Sequence, residues 1–502
     1  MNRSDLSLEQ EYTLQEFESG NNILITGPAG TGKTCLIKQI VNSAILKKWN
    51  IQVCALTGCA AILLGCNAST LHSWSGIRLA KGTADELYNS MKNNKKLLSK
   101  WRGVKCLVVD EVSMMSMRLF DILNYIGKKM RNDTRPFGGI QLIFTGDFYQ
   151  LPPVGGQEQG SGQFCFESPD WYKTFLVENH IELTNIFRQK DPKYREILNK
   201  IRMGKIDSKD IETLNKHTKR PYNREEHNGC VPTKLFAINK KVSQINQEMF
   251  DSLNETCYEF SHIQKTDCMT YIEMGKPLNY ETLNRCKKEL SVKKKEMEIE
   301  YLLNNCPCDK VLFLKKGANV MCTSNVDIES GICNGSIGIV TEFIMNIGIP
   351  IPVVLFSNGV KRQMSLKYWQ SEEYPTIAIG QIPLKLAWAM TIHKMQGATL
   401  PMAEIDIGNT VFECGQSYVA LSRVQSLEGL YLSHFKPEKI KVHKKVRDFY
   451  EKIPKLDLEE DEDEKDDKDD EKVKSLSFEK YIFKDDNSNK TTVDESIKTV
   501  FL

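Results

Sequence analysis

An α/β fold built on parallel sheets is what the sequence predicts, and three features predict it. Apolar runs of strand character alternate with helical stretches, and those runs end in polar residues. One of them, Ile23-Leu24-Ile25-Thr26, opens into the glycine-rich turn Gly27-Pro28-Ala29-Gly30-Thr31-Gly32-Lys33-Thr34. Strands covered on both faces read as continuous apolar runs, and open sheets of this kind bind ligands at the carboxyl ends of their strands. The spacing of the turn lets backbone N–H groups between Gly27 and Gly32 close around a β-phosphate. It also sets the Lys33 ammonium between the β- and γ-phosphates and turns the Thr34 hydroxyl toward Mg²⁺. The helix expected from Cys35 onward aims its positive end at the same phosphates. Gly27, Pro28, Ala29, Gly30, Thr31, Gly32, Lys33 and Thr34 are therefore the candidate nucleotide-binding set, with Mg²⁺ expected beside it.

The elements follow in order along the chain. Residues 1 to 20 read as a helical lead-in, in which Gln10 is placed to meet an adenine because a glutamine amide both donates and accepts; an exposed helix-surface glutamine is the alternative. A second strand, Ile51-Gln52-Val53-Cys54-Ala55-Leu56, runs into Thr57-Gly58, and Thr70-Leu71-His72-Ser73-Trp74 follows. The third, Cys106-Leu107-Val108-Val109, ends in Asp110-Glu111. Mg²⁺ needs a hard oxygen ligand beyond Thr34, and hydrolysis needs a base that positions water, so Asp110 is assigned to the metal with Thr34 and Glu111 to the water. The fourth, Ile140-Gln141-Leu142-Ile143-Phe144-Thr145, leads into Gly146-Asp147-Phe148-Tyr149-Gln150, where Gln150 would sense the γ-phosphate. Every motif sits at a strand's carboxyl end.

Past residue 190 the helical pattern resumes, and Thr233-Lys234-Leu235-Phe236-Ala237-Ile238-Asn239 reads as a strand opening a second α/β unit. Residues 256 to 310 are charged and helical in character. Short strands with Asn-Gly and Gly turns then predict a small β-barrel, running through Val320, Ile337 to Val340 and Val353 to Phe356. From Asp457 to Asp470 there are eleven acidic residues and two lysines, a charge of −9, so the rest of the chain carries about +11 of the overall +2. A basic body suits a polyanion, while the acidic, aromatic-poor tail is expected to be disordered.

A chain of 502 residues has room for several domains. No apolar run approaches the roughly 20 residues that span a bilayer, and Met1-Asn2-Arg3-Ser4-Asp5-Leu6 has no secretory core. Fifteen cysteines, odd in number and without framework spacing, point to reduced thiols in an intracellular compartment such as nucleus, cytoplasm or virus factory. Cys306-Pro307-Cys308 reads as two loop thiols rather than a zinc site, because no second pair stands at metal-ligand spacing.

Taken together, the motifs resemble a known group. The phosphate turn, Asp110-Glu111-Val112-Ser113-Met114, Gly146-Asp147-Phe148-Tyr149-Gln150-Leu151-Pro152-Pro153 and Phe187-Arg188-Gln189 are followed by Thr391-Ile392-His393-Lys394-Met395-Gln396-Gly397 and Gln416-Ser417-Tyr418-Val419-Ala420-Leu421-Ser422-Arg423. That order is similar to the petite-integration-frequency family of DNA helicases, RecD-like members of superfamily one B. The resemblance implies two RecA-like P-loop domains with ATP between them, a small SH3-like β-barrel insertion and a disordered acidic tail. It implies residues 1–190 as the first domain, with 76–103 as a small strand-separating subdomain. Residues 191–255 and 379–450 would form the second domain, 256–378 the insertion and 451–502 the tail.

Arg188 and Arg423 look like the family's two arginines, reaching ATP from the second domain, where a guanidinium neutralises charge on the transferring phosphoryl group. Implied partners are single-stranded DNA and forked duplex DNA, with no membrane, and the tail is a candidate dock for a protein. Strand tracking needs phosphate donors and stacking surfaces. Thr57, Gly58, His72, Trp74, His393 and Lys394 are the DNA-binding candidates, although Trp74 reads first as a core residue. The expected activity is ATP-dependent 5′-to-3′ unwinding. A remodelling ATPase without unwinding and an RNA-directed motor stay open as alternatives.

Overall fold

The computed structural model describes residues 6–454 except 65, 78–79, 81, 156–158, 223–230, 273–274, 328, 347 and 372. The acidic tail predicted from 451 lies, from 455 onward, outside the described residues.

Six strands form the first sheet: β1 (Ile23–Thr26), β2 (Ile51–Ala55), β3 (Ser69–Thr70), β4 (Cys106–Asp110), β5 (Gln141–Thr145) and β6 (His180–Glu182). All pair in parallel in the order β3-β2-β4-β5-β1-β6. Their apolar runs are buried because helices cover both faces, and every residue of β1, β4 and β5 is buried. β1 lies between β5 and the edge strand β6, so the phosphate turn emerges at the carboxyl edge one strand in from the end of the sheet. The next helix, Lys33–Leu46, begins after Gly32 at φ +82° and buries Leu36, Ile37, Ile40, Val41 and Ala44, a 3.6-residue stripe facing the sheet.

Aromatic rings dominate the first core. Phe144 lies within 6.3 Å of Phe120, Phe137, Trp171 and Phe175 by ring centroid. Trp74, 2 % exposed, packs on Trp101 at 4.8 Å. This corrects the expectation of a base-stacking platform, since the helix Leu71–Ser75 turns the indole inward and leaves it no free face. Within 76–103, the helices Ala84–Met91 and Lys95–Gly103 are amphipathic and bury Met91, Leu97 and Trp101.

The second sheet has four parallel strands, ordered Ala389–Thr391, Thr233–Phe236, Ala403–Ile407 and Leu430–Phe435. Its core includes Tyr194, Ile197, Leu198 and Ile201 from the helix Pro192–Met203, which starts with Asp191 as cap and Pro192 in the first turn. Between the strands Thr233–Phe236 and Ala389–Thr391 lies an insertion dominated by a five-stranded antiparallel sheet built on Ile337–Asn346 and Ile349–Phe356. Two helices, Tyr280–Glu289 and Val292–Asn305, precede that sheet.

One placement differs from expectation. The helix Lys444–Tyr450, anticipated within the second unit, packs Val446 and Phe449 into the aromatic core of the first. The reason is long-range apolar complementarity, which local sequence does not encode: Phe449 stacks on Phe166 at 4.3 Å.

Candidate active site

The phosphate turn owes its shape to three glycines. Gly27, Gly30 and Gly32 have φ of +137°, +91° and +82°, all unfavourable for a side chain. Neighbours forbid one as well: a Cβ would meet Leu183 O at 2.3 Å from Gly27, Arg188 Cβ at 2.5 Å from Gly30, and Gln10 Nε2 at 2.8 Å from Gly32. Lys33 folds over the turn and donates to Gly27 O at 2.7 Å and Pro28 O at 2.9 Å. Burial pulls the Lys33 ammonium down, against the attraction of Asp147, Glu111 and Asp110. A phosphate would replace those carbonyls as acceptors. Thr34 stands exposed next to Lys33.

Gln10 takes a place that sequence reasoning did not foresee. Its Oε1 accepts from Ser7 N in a capping box, and its Nε2 donates to Thr31 O at 3.3 Å, so the amide braces the turn from beneath. Both ends of that amide are occupied before any adenine arrives.

Asp110 and Glu111 complete this side. Asp110 closes β4, is buried, and accepts a hydrogen bond from Thr145 Oγ1 at the end of β5. Burial raises its carboxyl pKa. Glu111 adopts φ +58°, ψ +40°, a left-handed backbone that costs a non-glycine residue about 1 kcal/mol or more. That turn sends its carboxylate off the sheet and into the cleft. Burial and the neighbouring Asp110 charge push Glu111 up to about 7. A donor set of one hydroxyl and one buried carboxylate fits Mg²⁺, which takes few protein ligands and completes its shell with phosphate and water oxygens. Among the described residues no cluster of three or more His, Cys, Asp or Glu exists that could hold a metal by itself.

The second unit meets this edge at several points. Gln396 Nε2 donates to Glu111 Oε2 at 2.9 Å. Ala29 N, inside the phosphate turn, donates to the Tyr418 hydroxyl at 2.9 Å. The connection between β6 and the helix Pro192–Met203 lies on the turn, with Phe187 N donating to Gly30 O at 2.9 Å, and reaches the second unit through Gln189 Nε2, which donates to Ser422 O at 3.3 Å. Arg188 is thus held beside the turn, where burial lowers its pKa and the charge of Glu111 opposes that. Arg423 is 1 % exposed and donates to the carbonyls of Val419, Met395 and Ala398 and to Ser422 Oγ. Burial and the Arg188 charge pull it down to about 9, still cationic at neutral pH, while Glu111 stabilises it. Gln150 is buried at the same seam, its carbonyl only 2.3 Å from where a Cβ on Gly415 would stand.

The structure therefore gathers Gln10, the Gly27–Thr34 turn, Asp110, Glu111, Gln150, Arg188 and Arg423 along one seam. The DNA candidates spread along the same edges without a shared contact. Thr57 Oγ1 accepts from Ala60 N and caps the helix Gly58–Leu64; Gly58 backs onto Asn305 of the insertion, with a Cβ-to-carbonyl approach of 3.4 Å. His72 is half-buried and shifted down by that burial. His393 is also lowered by burial, against the pull of Glu413, and Lys394 beside it is exposed. Sequence reasoning missed Gln396, Tyr418 and Asp147 as site groups, although each lies inside a motif that was recognised. Arg202, which donates Nε and Nη2 to Asp147 at 3.0–3.1 Å, lies outside all of them.

Residues 5–212 match the family described as PIF1-like helicase, and residues 299–343 match the domain described as DNA helicase Pif1, 2B domain. The chain is 33% identical to the ATP-dependent DNA helicase PIF1 of Emericella nidulans, covering 88% of this chain and 62% of that protein. It is 32% identical to a solved Pif1 helicase from Candida albicans, with TM-score 0.69 over 89% of this chain and 99% of that one. A Bacteroides Pif1 helicase solved in complex with ADP-AlF3 and ssDNA is 27% identical, with TM-score 0.55 over 89% and 96% of the two chains. The chain spans about three fifths of the length of the curated relatives it matches first. With two parallel α/β sheets carrying the phosphate turn and the facing arginines, the chain belongs to the PIF1-like helicase family.

Proposed function

We propose that the protein is an ATP-dependent DNA helicase that moves 5′ to 3′ along single-stranded DNA and opens forked duplexes. The observation that carries this reading is the 2.9 Å hydrogen bond from Gln396 to Glu111, joining the hydrolytic carboxylate of one RecA-like unit to a motif of the other. A change at the γ-phosphate then alters the contact between units, and a motor needs that coupling. ADP-AlF3 and ssDNA in the Bacteroides relative are consistent with such a role.

In this reading Lys33 leaves Gly27 O and Pro28 O for the β- and γ-phosphates, and Thr34 with Asp110 holds Mg²⁺, which would supply charge neutralisation between those phosphates. Glu111 accepts the proton of the attacking water, while Gln150 senses the γ-phosphate. Arg188 and Arg423 stabilise the charge that develops on the transferring phosphoryl group. Thr57, Gly58, His72, His393 and Lys394 would hold alternate stretches of the strand, so that cleft closure and release ratchet it along. We read the antiparallel insertion as an SH3-like barrel, 76–103 as the strand-separating subdomain, and the odd number of cysteines without framework spacing as a sign of a reducing compartment.

Duplexes bearing either a 5′ or a 3′ single-stranded tail test the activity and its direction together. The 5′-tailed duplex is expected to be unwound and the 3′-tailed one left intact. Hydrolysis of ATP without release of either strand would instead identify a remodelling ATPase, and stimulation by RNA equal to that by DNA would identify an RNA-directed motor.

A pH profile checks the base. A carboxyl raised to about 7 is active only when ionised, so kcat/KM for DNA-stimulated hydrolysis should fall about tenfold per unit below that pH and level off above it. The Gln396 hydrogen bond favours the ionised form. Gln396→Leu is therefore expected to move the acid limb to higher pH, and an unmoved limb would remove Glu111 from the role.

A further inference from the structure

The helix Lys444–Tyr450 comes from the far end of the described chain, yet it finishes inside the phosphate site of the first unit. Burial of Val446 and Phe449 fixes the helix and delivers the Tyr450 hydroxyl to a point where separate pieces of the site meet. That hydroxyl hydrogen-bonds Thr26 Oγ1, one residue before Gly27. It donates to Asp147 Oδ1 at 3.1 Å and accepts from Phe148 N at 3.2 Å. A phenol has one proton and two lone pairs, so with Thr26 as the second donor every position is used.

Asp147 is the hub on the other side. It is fully inaccessible and takes Arg202 Nε and Nη2, Tyr450 and Tyr149 N. The Arg202 guanidinium lies 4.6 Å from the Tyr149 ring and 5.0 Å from the Tyr450 ring, and its Nη1 reaches Glu182 at the end of β6 at 3.0 Å. A buried ion pair costs desolvation that good geometry and further hydrogen bonds must offset, and here Nε, Nη1 and Nη2 of Arg202 each reach a carboxylate. The cluster faces the phosphate turn, because Asp147 attracts the Lys33 ammonium and Arg202 repels it. None of the hydrolytic steps uses Tyr450 or Arg202.

We propose that Tyr450 and Arg202 are positioning residues for nucleotide binding. They brace Asp147 and the Thr26–Gly27 entry to the phosphate turn, so the first unit binds nucleotide at full affinity only while the C-terminal helix is seated. This rests on the phosphate turn binding ATP. Anything that lifts the helix, a partner gripping the chain beyond it for example, would release nucleotide without touching the turn.

Tyr450→Phe removes one oxygen and keeps the ring. Binding of a fluorescent ADP analogue with Mg²⁺ to the full chain, without DNA, is expected to weaken about tenfold, with KM for ATP rising alike. The kcat for hydrolysis should stay within about twofold and the melting temperature should be little changed, because the ring packing survives. Thr26→Val deletes one of the three hydrogen bonds that Tyr450→Phe deletes, so it should give a smaller loss, and the double variant no more than Tyr450→Phe alone. Phe175→Leu loosens the same aromatic core away from the helix, and should lower the melting temperature while leaving KM in place. Wild-type nucleotide affinity in Tyr450→Phe would overturn the proposal, as would a rise in KM of equal size in Phe175→Leu. Failure of the helicase reading is seen elsewhere, as ATP hydrolysis without strand separation by the unaltered protein.

Discussion

Arg423→Lys should reduce DNA-stimulated ATP hydrolysis by about 10³-fold or more, within the range by which an arginine finger accelerates phosphoryl transfer. Lysine keeps the positive charge, so the loss would come from geometry. The guanidinium spreads its donors over Val419 O, Met395 O, Ala398 O and Ser422 Oγ, and a single ammonium cannot span that set. Two consequences follow from the contacts. To stabilise a phosphoryl group, Arg423 must trade these carbonyls for phosphate oxygens, an exchange favoured once a triphosphate brings its negative charge into the cleft. Its bonds to Met395 and Ala398 also hold the turn from which Gln396 reaches Glu111, so the same side chain sets the base partner and the charge stabiliser. The measurement is single-turnover hydrolysis with saturating ssDNA, alongside thermal unfolding to show that the buried substitution is tolerated. Single-strand binding without nucleotide should persist. A folded Arg423→Lys protein that hydrolyses ATP within tenfold of the unaltered chain would remove the arginine from the reaction.

Glu111→Gln should lower hydrolysis by about 10²- to 10⁴-fold, the usual contribution of a positioned base, and abolish unwinding. The isosteric amide keeps the left-handed turn and the position of the side chain, so ATP and DNA should still bind. A second effect has the opposite sign. Glu111 carries a carboxyl pKa raised by burial and by Asp110, so the folded state holds its proton more tightly than the unfolded chain does, and stability falls as pH rises through about 7. Glu111→Gln removes that burden, and its melting temperature should exceed that of the unaltered protein at pH 8 while matching it more closely at pH 5. Loss of activity with a gain in stability marks a group strained for function. Equal melting curves at pH 8 would mean that the carboxylate is not held against its preference.

How much of this was legible beforehand depends on the range of the interactions. The phosphate turn was readable because its glycines, Lys33 and Thr34 are contiguous and their geometry is enforced locally, by positive φ at Gly27, Gly30 and Gly32. Asp110 and Glu111 were readable because an apolar run ending in acids marks the carboxyl end of a buried strand. Trp74 shows the limit: its core character was readable, but whether the indole faces DNA or the core is decided by Trp101, 27 residues onward. Gln10 shows another, since its amide turned out to be engaged by Ser7 and Thr31.

By itself the sequence determined the class of fold, the phosphate-binding chemistry and the residue types that face it, because strand burial, glycine conformation and carboxylate position follow from near neighbours. Tertiary structure alone decided which distant groups complete the site. Gln396 meets Glu111, Tyr418 meets Ala29, and Tyr450 meets Thr26 across 285, 389 and 424 residues of chain. Such pairings leave no periodicity or spacing to read, since they exist only once two separate cores have formed and brought their edges together.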